Sequence, residues 1–171
     1  MRKVMEHFTL EPVYRPPRKK PLYYKDDVHH LTVVGHYESP CGGGDTIGSA
    51  RQVAELIQEL VLWKHTIAEG LLLSEDVKHS LLMKDLRVIF LHVDVEQCLA
   101  NIRKRRAEVG NEKELNEKNT RGRVPTIERA RVKLNQAGVP CYRLTGDQAV
   151  KQILRWIKDG ESTPKGYSAP F

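Results

Sequence analysis

Apolar residues in this chain follow two kinds of pattern. Nearly continuous apolar runs near residues 31–36, 66–69, 87–93 and 140–144 predict strands, and the run at 87–93 indicates burial on both faces of a sheet. Between and after these runs, apolar residues recur at every third or fourth position. This spacing predicts helices over about 47–63, 74–84, 94–106, 126–137 and 147–157. Because strands alternate with helices, the pattern predicts the α/β class with a mostly parallel sheet.

The first 27 residues do not follow this alternation. Residues 1–8 have the spacing of an amphipathic helix but no preceding cap residue, which suggests that upstream sequence is missing. Residues 11–27 contain four prolines, which exclude a helix, and basic residues alternate there with Tyr14, Tyr23 and Tyr24. This segment is either a proline-stiffened connector or a surface on which unpaired bases stack while cations contact phosphates.

Composition narrows the class of protein. With 171 residues, 40% of them hydrophobic, the chain is predicted to form one domain over residues 1–160, followed by a flexible tail at 161–171. No apolar run is long enough for a membrane span or a signal peptide, so a cytoplasmic protein without a membrane partner is predicted. Three widely spaced cysteines argue against a disulfide framework or a zinc site. The formal net charge of +6 favours polyanionic partners.

The loop after the first long apolar run carries the clearest candidate chemistry. The predicted strand stops at Gly35, and the chain passes through three consecutive glycines at 42–44 before Asp45 and Thr46 open a helical pattern. A loop in this position lies at the carboxyl edge of a sheet, where open α/β proteins bind ligands. Its backbone N–H groups are expected to face an anion or a ring.

Asp45 has two interpretations. Its carboxylate would repel a phosphate, and Asp45 or Glu38 is suited to accept a hydrogen bond from a neutral hydroxyl or to act as its base. Alternatively, Asp45 or Thr46 only caps the following helix, which would instead begin at Ser49 if that residue is the cap. The loop is not a phosphate-binding P-loop, because the motif G-x-x-x-x-G-K-[ST] occurs nowhere in the sequence.

A basic segment between residues 103 and 125 is the second candidate. The helix predicted from residue 94 ends in four consecutive basic residues at 103–106, more positive charge than compensation of a helix dipole requires. The polar stretch 110–125 that follows is either an exposed linker or a mobile lid. In a lid, Arg121 and Arg123 would bind phosphate oxygens through their planar guanidinium groups.

The run Gly35-His-Tyr-Glu38, followed by Cys41-Gly-Gly-Gly-Asp-Thr-Ile47, resembles the signature of phage P-loop kinases that phosphorylate 5-hydroxymethyluracil in DNA. The resemblance extends to about residue 157. It implies a nucleotide-kinase-like, doubly wound P-loop fold with helices on both faces of the sheet and a lid at about residues 103–125. The first strand and the P-loop of that fold are missing, so we expect an N-terminally truncated kinase. Because that strand lies mid-sheet, its absence is expected to leave a gap between the strands ending at Glu69 and Val93.

The resemblance also implies an activity and the residues that carry it. The activity is phosphoryl transfer from ATP, with Mg²⁺, to the hydroxymethyl group of modified uracil in DNA, in the host-cell cytoplasm if the chain is phage-encoded. Such transfer needs mainly positioning and charge stabilisation, so arginines and one or two acids are expected. The implied catalytic residues are Asp45, Glu69, Arg121 and Arg123, and Glu69 is the one implied to bind the metal. The implied substrate-binding residues are Tyr37, Glu38, Gly42, Gly43, Gly44 and Thr46. The residues implied to bind ATP are Arg105, Thr145, Gly146 and Asp147.

Two other functions are compatible with the sequence. One is a kinase of a free nucleoside or nucleotide, which differs only in its substrate. The other is a catalytically inactive nucleic-acid-binding remnant, favoured by the absent G-x-x-x-x-G-K-[ST] motif and the basic proline-rich segment. For the chain without that motif, we expect weak binding of Mg-ATP.

Overall fold

The computed structural model describes residues 1–39, 42–70, 77–108, 110 and 114–159. Its helices are α1 (Arg2–Met5), α2 (Ala50–Glu59), α3 (Val77–Ser80), α4 (Val95–Glu108), α5 (Glu117–Gln136) and α6 (Gly146–Lys158). Its strands are β1 (Glu11–Val13), β2 (Tyr23–Asp26), β3 (Leu31–Val34), β4 (His65–Ile67), β5 (Val88–Leu91) and β6 (Cys141–Leu144). Short 3-10 turns at Gly44–Thr46 and Leu60–Leu62 flank α2. The α/β class is confirmed, and no helix in the described ranges could cross a membrane.

The strands form two separate sheets in the described part of the chain. The first has the order β1-β2-β3-β4, in which β2 is antiparallel to both of its neighbours and β3 is parallel to β4. The second pairs β5 with β6 in parallel. The expected gap is therefore present, because β4 and β5 share no ladder. As a consequence, β4 is only half-buried and Leu91 on β5 is 59% exposed.

The four predicted strands are confirmed as β3 to β6, but the prediction of a mostly parallel sheet is wrong. It missed the hairpin formed by β1 and β2, within the segment interpreted as a connector. Pro12 is tolerated because β1 is an edge strand, where a missing N–H does not interrupt a central ladder. Tyr23 and Tyr24 of β2 pack against the apolar cores on the two faces of the sheet, so the structure uses their rings for packing.

Two helices begin elsewhere than predicted. The helix expected from Thr126 begins at Glu117, where the Asn116 side chain accepts a hydrogen bond from the Asn119 N–H at 3.0 Å. It therefore includes the second half of the polar stretch 110–125, which was interpreted as a linker or a lid, and it continues through Gly122 and Pro125 because tertiary packing overrides local propensity. A 2.6 Å ion pair between Arg121 and Glu96 joins it to α4, and Ala130 and Leu134 are buried on its inner face.

Helix α2 begins after Ser49, whose hydroxyl accepts a hydrogen bond from the Gln52 N–H at 3.3 Å. Asp45 and Thr46 belong to the separate 3-10 turn, so neither of them caps α2. The predicted helix start at residues 74–76 and the predicted tail at 161–171 lie outside the described residues.

Apolar side chains cover both faces of the first sheet. Since successive residues of a strand point to opposite faces, Val34 joins a cluster with Val53 and Leu56 of α2. Leu31 and Val33 point the other way and join Ile157 of α6, against which side chains of α1 also pack. Helices therefore lie on both faces of this sheet, as expected, and α1 is part of the core.

Asp26 is a buried carboxylate that joins three segments at the end of β2. It is 2% exposed, and its oxygens accept hydrogen bonds from the Thr9 N–H at 3.0 Å and the His29 N–H at 2.9 Å. Burial alone would raise the pKa of Asp26, but the hydrogen bonds from His29 and Thr9 outweigh it and lower that pKa. The ionised carboxylate therefore stabilises the fold.

We predict that Asp26→Ala lowers the free energy of unfolding by about 2–3 kcal/mol, because two part-buried hydrogen bonds to a charged carboxylate are lost. The exposed neighbour provides the control, and Asp27→Ala should change stability by less than about 1 kcal/mol. Urea denaturation measures both. Because the folded-state pKa of Asp26 is depressed, its contribution is present above the unfolded value of 3.8 and lost as pH falls through the folded pKa. The difference in free energy of unfolding between wild type and Asp26→Ala should therefore become smaller below pH 3.8, and a difference that stays constant there would contradict this prediction.

Candidate active site at the glycine loop

The candidate site lies where β3 and β4 end. These strands are parallel neighbours, with Val33 opposite Ile67, so the residues that follow them emerge at the same edge of the sheet. Tyr37 follows β3 and Glu69 follows β4. Residues 42–46, called the glycine loop below, pack between these two side chains.

The close packing of the glycine loop explains why its residues are glycines. A Cβ atom on Gly43 would lie 2.6 Å from both the Glu69 side chain and the Glu69 carbonyl oxygen, and its φ of +73° disfavours other residues. A Cβ on Gly42 would lie 2.6 Å from the Tyr37 ring, and one on Gly44 would lie 3.1 Å from the Glu69 carbonyl oxygen. The consecutive glycines allow the backbone to fit between Tyr37 and Glu69.

The backbone N–H groups of the glycine loop are used inside the protein. Gly43 donates to the His36 carbonyl at 3.2 Å, and Gly44 donates to the Glu69 carbonyl at 2.6 Å. The Thr46 hydroxyl donates to the Gly43 carbonyl at 2.7 Å and accepts from the His36 N–H at 3.2 Å. The expectation that the loop N–H groups face an anion is therefore wrong for Gly43 and Gly44. The Thr46 hydroxyl stabilises the loop through its two hydrogen bonds to the backbone.

Two carboxylates meet at this edge. Asp45 is exposed, and its Oδ1 would lie 2.9 Å from a Cβ on Gly70, the residue after Glu69. The Glu69 side chain is 43% exposed. Glu38, the residue after Tyr37, is also exposed. The structure thus brings Asp45 and Glu69 to adjacent positions.

Tyr37 supplies a buried hydroxyl between these acids. Burial raises the pKa of the Tyr37 hydroxyl well above its usual range, and the negative charges of Glu69 and Asp45 add to the rise while Arg2 opposes it. The hydroxyl is therefore a proton donor at any physiological pH. In the described part of the chain, it has no hydrogen-bond partner.

The first three residues connect the separate parts of the site. The Met1 amine lies 3.3 Å from Glu69 Oε2, and Lys3 forms a 3.0 Å ion pair with Asp147 at the start of α6. Arg2 donates to the carbonyls of Tyr37, at 3.0 Å, and Ser39. Sequence reasoning missed these residues because each contact joins distant positions, and no motif marks Arg2 as the support of a loop 35 residues away.

The residues assigned to ATP lie at the N-terminus of α6 and on α4. Thr145 caps α6 through a reciprocal pair of hydrogen bonds with Gln148. Gly146 has open space around it. Asp147 is exposed and paired with Lys3, so this turn is tied to α1. Arg105 lies on α4 and donates to the Asn101 carbonyl at 3.4 Å.

The residues assigned to the lid lie on two helices. Arg121 forms ion pairs with Glu96 at 2.6 Å and Glu117 at 3.7 Å, and Arg123 lies two residues further along α5. These ion pairs of Arg121 remain within the pair of helices α4 and α5. In this conformation, Arg121 does not reach towards the glycine loop.

The donor set fits a magnesium ion better than a triphosphate. Glu69 offers a hard oxygen ligand of the kind that Mg²⁺ prefers, and Asp45 lies near it. Among the described residues, no group of three or more acids, histidines or cysteines could hold a metal ion. A triphosphate would not find its N–H donors at Gly43 or Gly44, since these groups are already hydrogen-bonded.

Comparison with known proteins identifies a phage enzyme as a relative. The chain is 36% identical over 156 residues to a protein named 5-hmdU DNA kinase from Pseudomonas phage PaMx11, and the match covers 84% of this chain and 82% of the relative. No protein-family model matches the chain. No solved structure matches it.

We predict that Gly43→Ala lowers the free energy of unfolding by about 1–3 kcal/mol, because the new methyl group overlaps Glu69. Gly122→Ala is the matched control. Nothing lies within 4 Å of a Cβ at Gly122, and its helical position should make alanine stabilising by up to about 1 kcal/mol. Thermal or urea unfolding should therefore show opposite signs, and equal effects of the two substitutions would contradict the packing described.

Proposed function

Since the chain belongs to the 5-hmdU DNA kinase family, we propose that it transfers a phosphoryl group from ATP to the hydroxymethyl group of 5-hydroxymethyluracil in DNA. The observation that carries this proposal is the junction of Tyr37, Asp45 and Glu69 around the glycine loop. A kinase of a hydroxyl group needs an acceptor for the hydroxyl proton and a carboxylate for the metal. The junction contains both.

Asp45 is the proposed acceptor for the substrate hydroxyl. It is exposed, lies beside Gly70 and does not cap α2. As the hydroxyl oxygen forms its bond to the γ-phosphorus, the bond from that phosphorus to the leaving ADP oxygen breaks, and Asp45 receives the hydroxyl proton.

Tyr37 is the proposed contact to the base. Its hydroxyl is protonated and buried, and among the described residues it lacks a partner, so a pyrimidine carbonyl oxygen would satisfy it. A base in DNA must leave the stack to reach such a group. Arg2 would hold the Tyr37 backbone in place through its hydrogen bonds to the loop.

Four residues are proposed to interact with the phosphates and the metal of Mg-ATP: Glu69, Arg105, Arg121 and Arg123. When bound, Mg-ATP supplies the phosphoryl group, with the metal next to Glu69. Arg121 would leave its exposed ion pair with Glu96 to meet the phosphates, which costs about 1 kcal/mol or less. The turn at Thr145 to Asp147 would contact the nucleotide beyond its phosphates.

We further propose a doubly wound P-loop arrangement for the domain. Support comes from the two sheets, in which β4 and β5 each pair on one side only in the described part of the chain. Unpaired strand edges are places where another strand can add. The exposure of Leu91 and Val93, at 59% and 40%, fits an apolar surface that such a strand would cover.

We predict that the protein, incubated with labelled Mg-ATP, labels DNA that contains 5-hydroxymethyluracil but not the matching thymine DNA. Asp45→Asn should lower this rate by about 10²–10⁴-fold, as removal of a positioned base does. Its melting temperature should stay nearly unchanged, because Ser49 and not Asp45 caps α2.

Glu38→Gln is the matched control, since it removes a second exposed carboxylate of the same segment. Full turnover by Asp45→Asn together with a loss in Glu38→Gln would transfer the acceptor role to Glu38. Labelling of the free nucleoside in preference to DNA would replace the proposed substrate, and no labelling of either would overturn the proposal.

A further inference from the structure

The charge of the molecule is concentrated on the paired helices α4 and α5. Together they contain ten lysines and arginines and only four aspartates and glutamates. This surplus equals the formal net charge of +6 of the whole chain. The remainder of the protein is therefore close to neutral, so a polyanion is attracted mainly to this helical pair.

Within α5, the charges are divided between two sides. On the side towards α4, Glu117 pairs with Arg103 and Arg121, and nearer to β6 Glu128 pairs with Arg131. On the outer side, Lys118, Arg129 and Lys133 are exposed, and none of them has a carboxylate partner in the described part of the chain. These three residues are called the α5 ridge below.

The α5 ridge extends along most of the length of α5. At about 100° per residue, its three cations fall within about 60° of one another around the helix, and at 1.5 Å per residue they extend over about 22 Å. Along one strand of a DNA duplex, phosphates recur about every 3.4 Å of axis, so this length matches about six of them. The triphosphate of a single nucleotide is too short to contact both ends.

A groove runs beside the first part of the α5 ridge. It has a volume of about 490 Å³ and is lined by Asn116, Lys118, Asn119, Gly122, Arg123 and Thr126. Gly122 forms its open floor, since nothing lies within 4 Å of where a side chain would begin. The lining consists of amides, a hydroxyl and cations, without an aromatic ring or a carboxylate. Such groups bind phosphates and sugars rather than bases.

We propose that the α5 ridge, together with the amides and the hydroxyl of its groove, binds the sugar-phosphate backbone of DNA. The proposal takes the identity of the polymer from the proposed function, and it adds a surface separate from the glycine loop. Phosphate contacts position a nucleic acid without reading its sequence, so this surface would hold flanking nucleotides while the target base enters the site. Discrimination of the modified base would remain with the glycine loop.

The test measures binding of a fluorescent 20-nucleotide single-stranded thymine DNA to the full chain by anisotropy, without ATP. The triple variant Lys118→Gln, Arg129→Gln, Lys133→Gln should bind at least about tenfold more weakly at low salt. The slope of log affinity against log salt should fall in magnitude by about 2, because three phosphate contacts are lost.

The matched control removes the same number of charges elsewhere. Lys64, Lys84 and Lys151 are exposed and lie outside α4 and α5. The triple variant Lys64→Gln, Lys84→Gln, Lys151→Gln has the same net charge as the ridge variant and should bind within about twofold of wild type. Equal losses in the two variants would mean that only net charge matters and would overturn the proposal, as would an unchanged ridge variant. Far-UV circular dichroism and thermal melting verify that both variants are folded.

The test is independent of catalysis because the probe carries no target base and no ATP is present. If the chain proves not to be a kinase of modified DNA, the difference in DNA affinity between the two variants still shows whether the α5 ridge binds DNA. In an active preparation, the ridge variant should lose turnover on modified DNA at limiting concentration and keep its Mg-ATP affinity. A ridge variant that loses Mg-ATP affinity instead would assign the surface to the nucleotide and overturn the proposal.

Discussion

The close approach of the glycine loop to Glu69 is the contact on which the candidate site depends. The 2.6 Å hydrogen bond from the Gly44 N–H to the Glu69 carbonyl joins the segments that follow two parallel strands. Only glycines permit that approach, since a Cβ at Gly43 would overlap Glu69. Asp45 and Tyr37 take their places from the same packing, so a backbone requirement for small residues determines where the acids and the phenol lie.

Helix α1 gives this loop its support from outside the sheet. The Met1 amine contacts Glu69, and Arg2 contacts the Tyr37 carbonyl. Lys3 contacts Asp147. Three parts of the chain that are distant in sequence are thereby joined through one short helix. Because α1 also packs against α6 in the core, these polar contacts are held by apolar burial. Positioning of this kind is what phosphoryl transfer requires of a protein.

Electrostatics divide the molecule into two functional regions. The glycine loop presents carboxylates, which suit a metal and a neutral hydroxyl, whereas α4 and α5 carry the positive charge. Glutamates of α4 and α5 pair with Arg121 and Arg131, whereas the three cations of the α5 ridge have no carboxylate partner among the described residues. A DNA substrate needs both regions, because its backbone is anionic and its reacting group is neutral.

The sequence by itself predicted the parts of the protein that depend on local pattern. The α/β class, strands β3 to β6, the Thr145 cap of α6 and the family were all accessible, because apolar periodicity, capping and the glycine motif are encoded within a few residues. The assignment of Asp45, Glu69 and the lid arginines to catalysis stays a prediction.

Tertiary structure decided what depends on long-range contacts. It placed β1 and β2 in a hairpin despite the prolines, and it extended α5 back to Glu117 through Gly122 and Pro125. It directed the glycine-loop N–H groups inward and brought Arg2 to Tyr37. In each case, the stabilising partner lies on another element or a distant loop segment. Local propensity carries no information about such partners, and their free energy outweighs it.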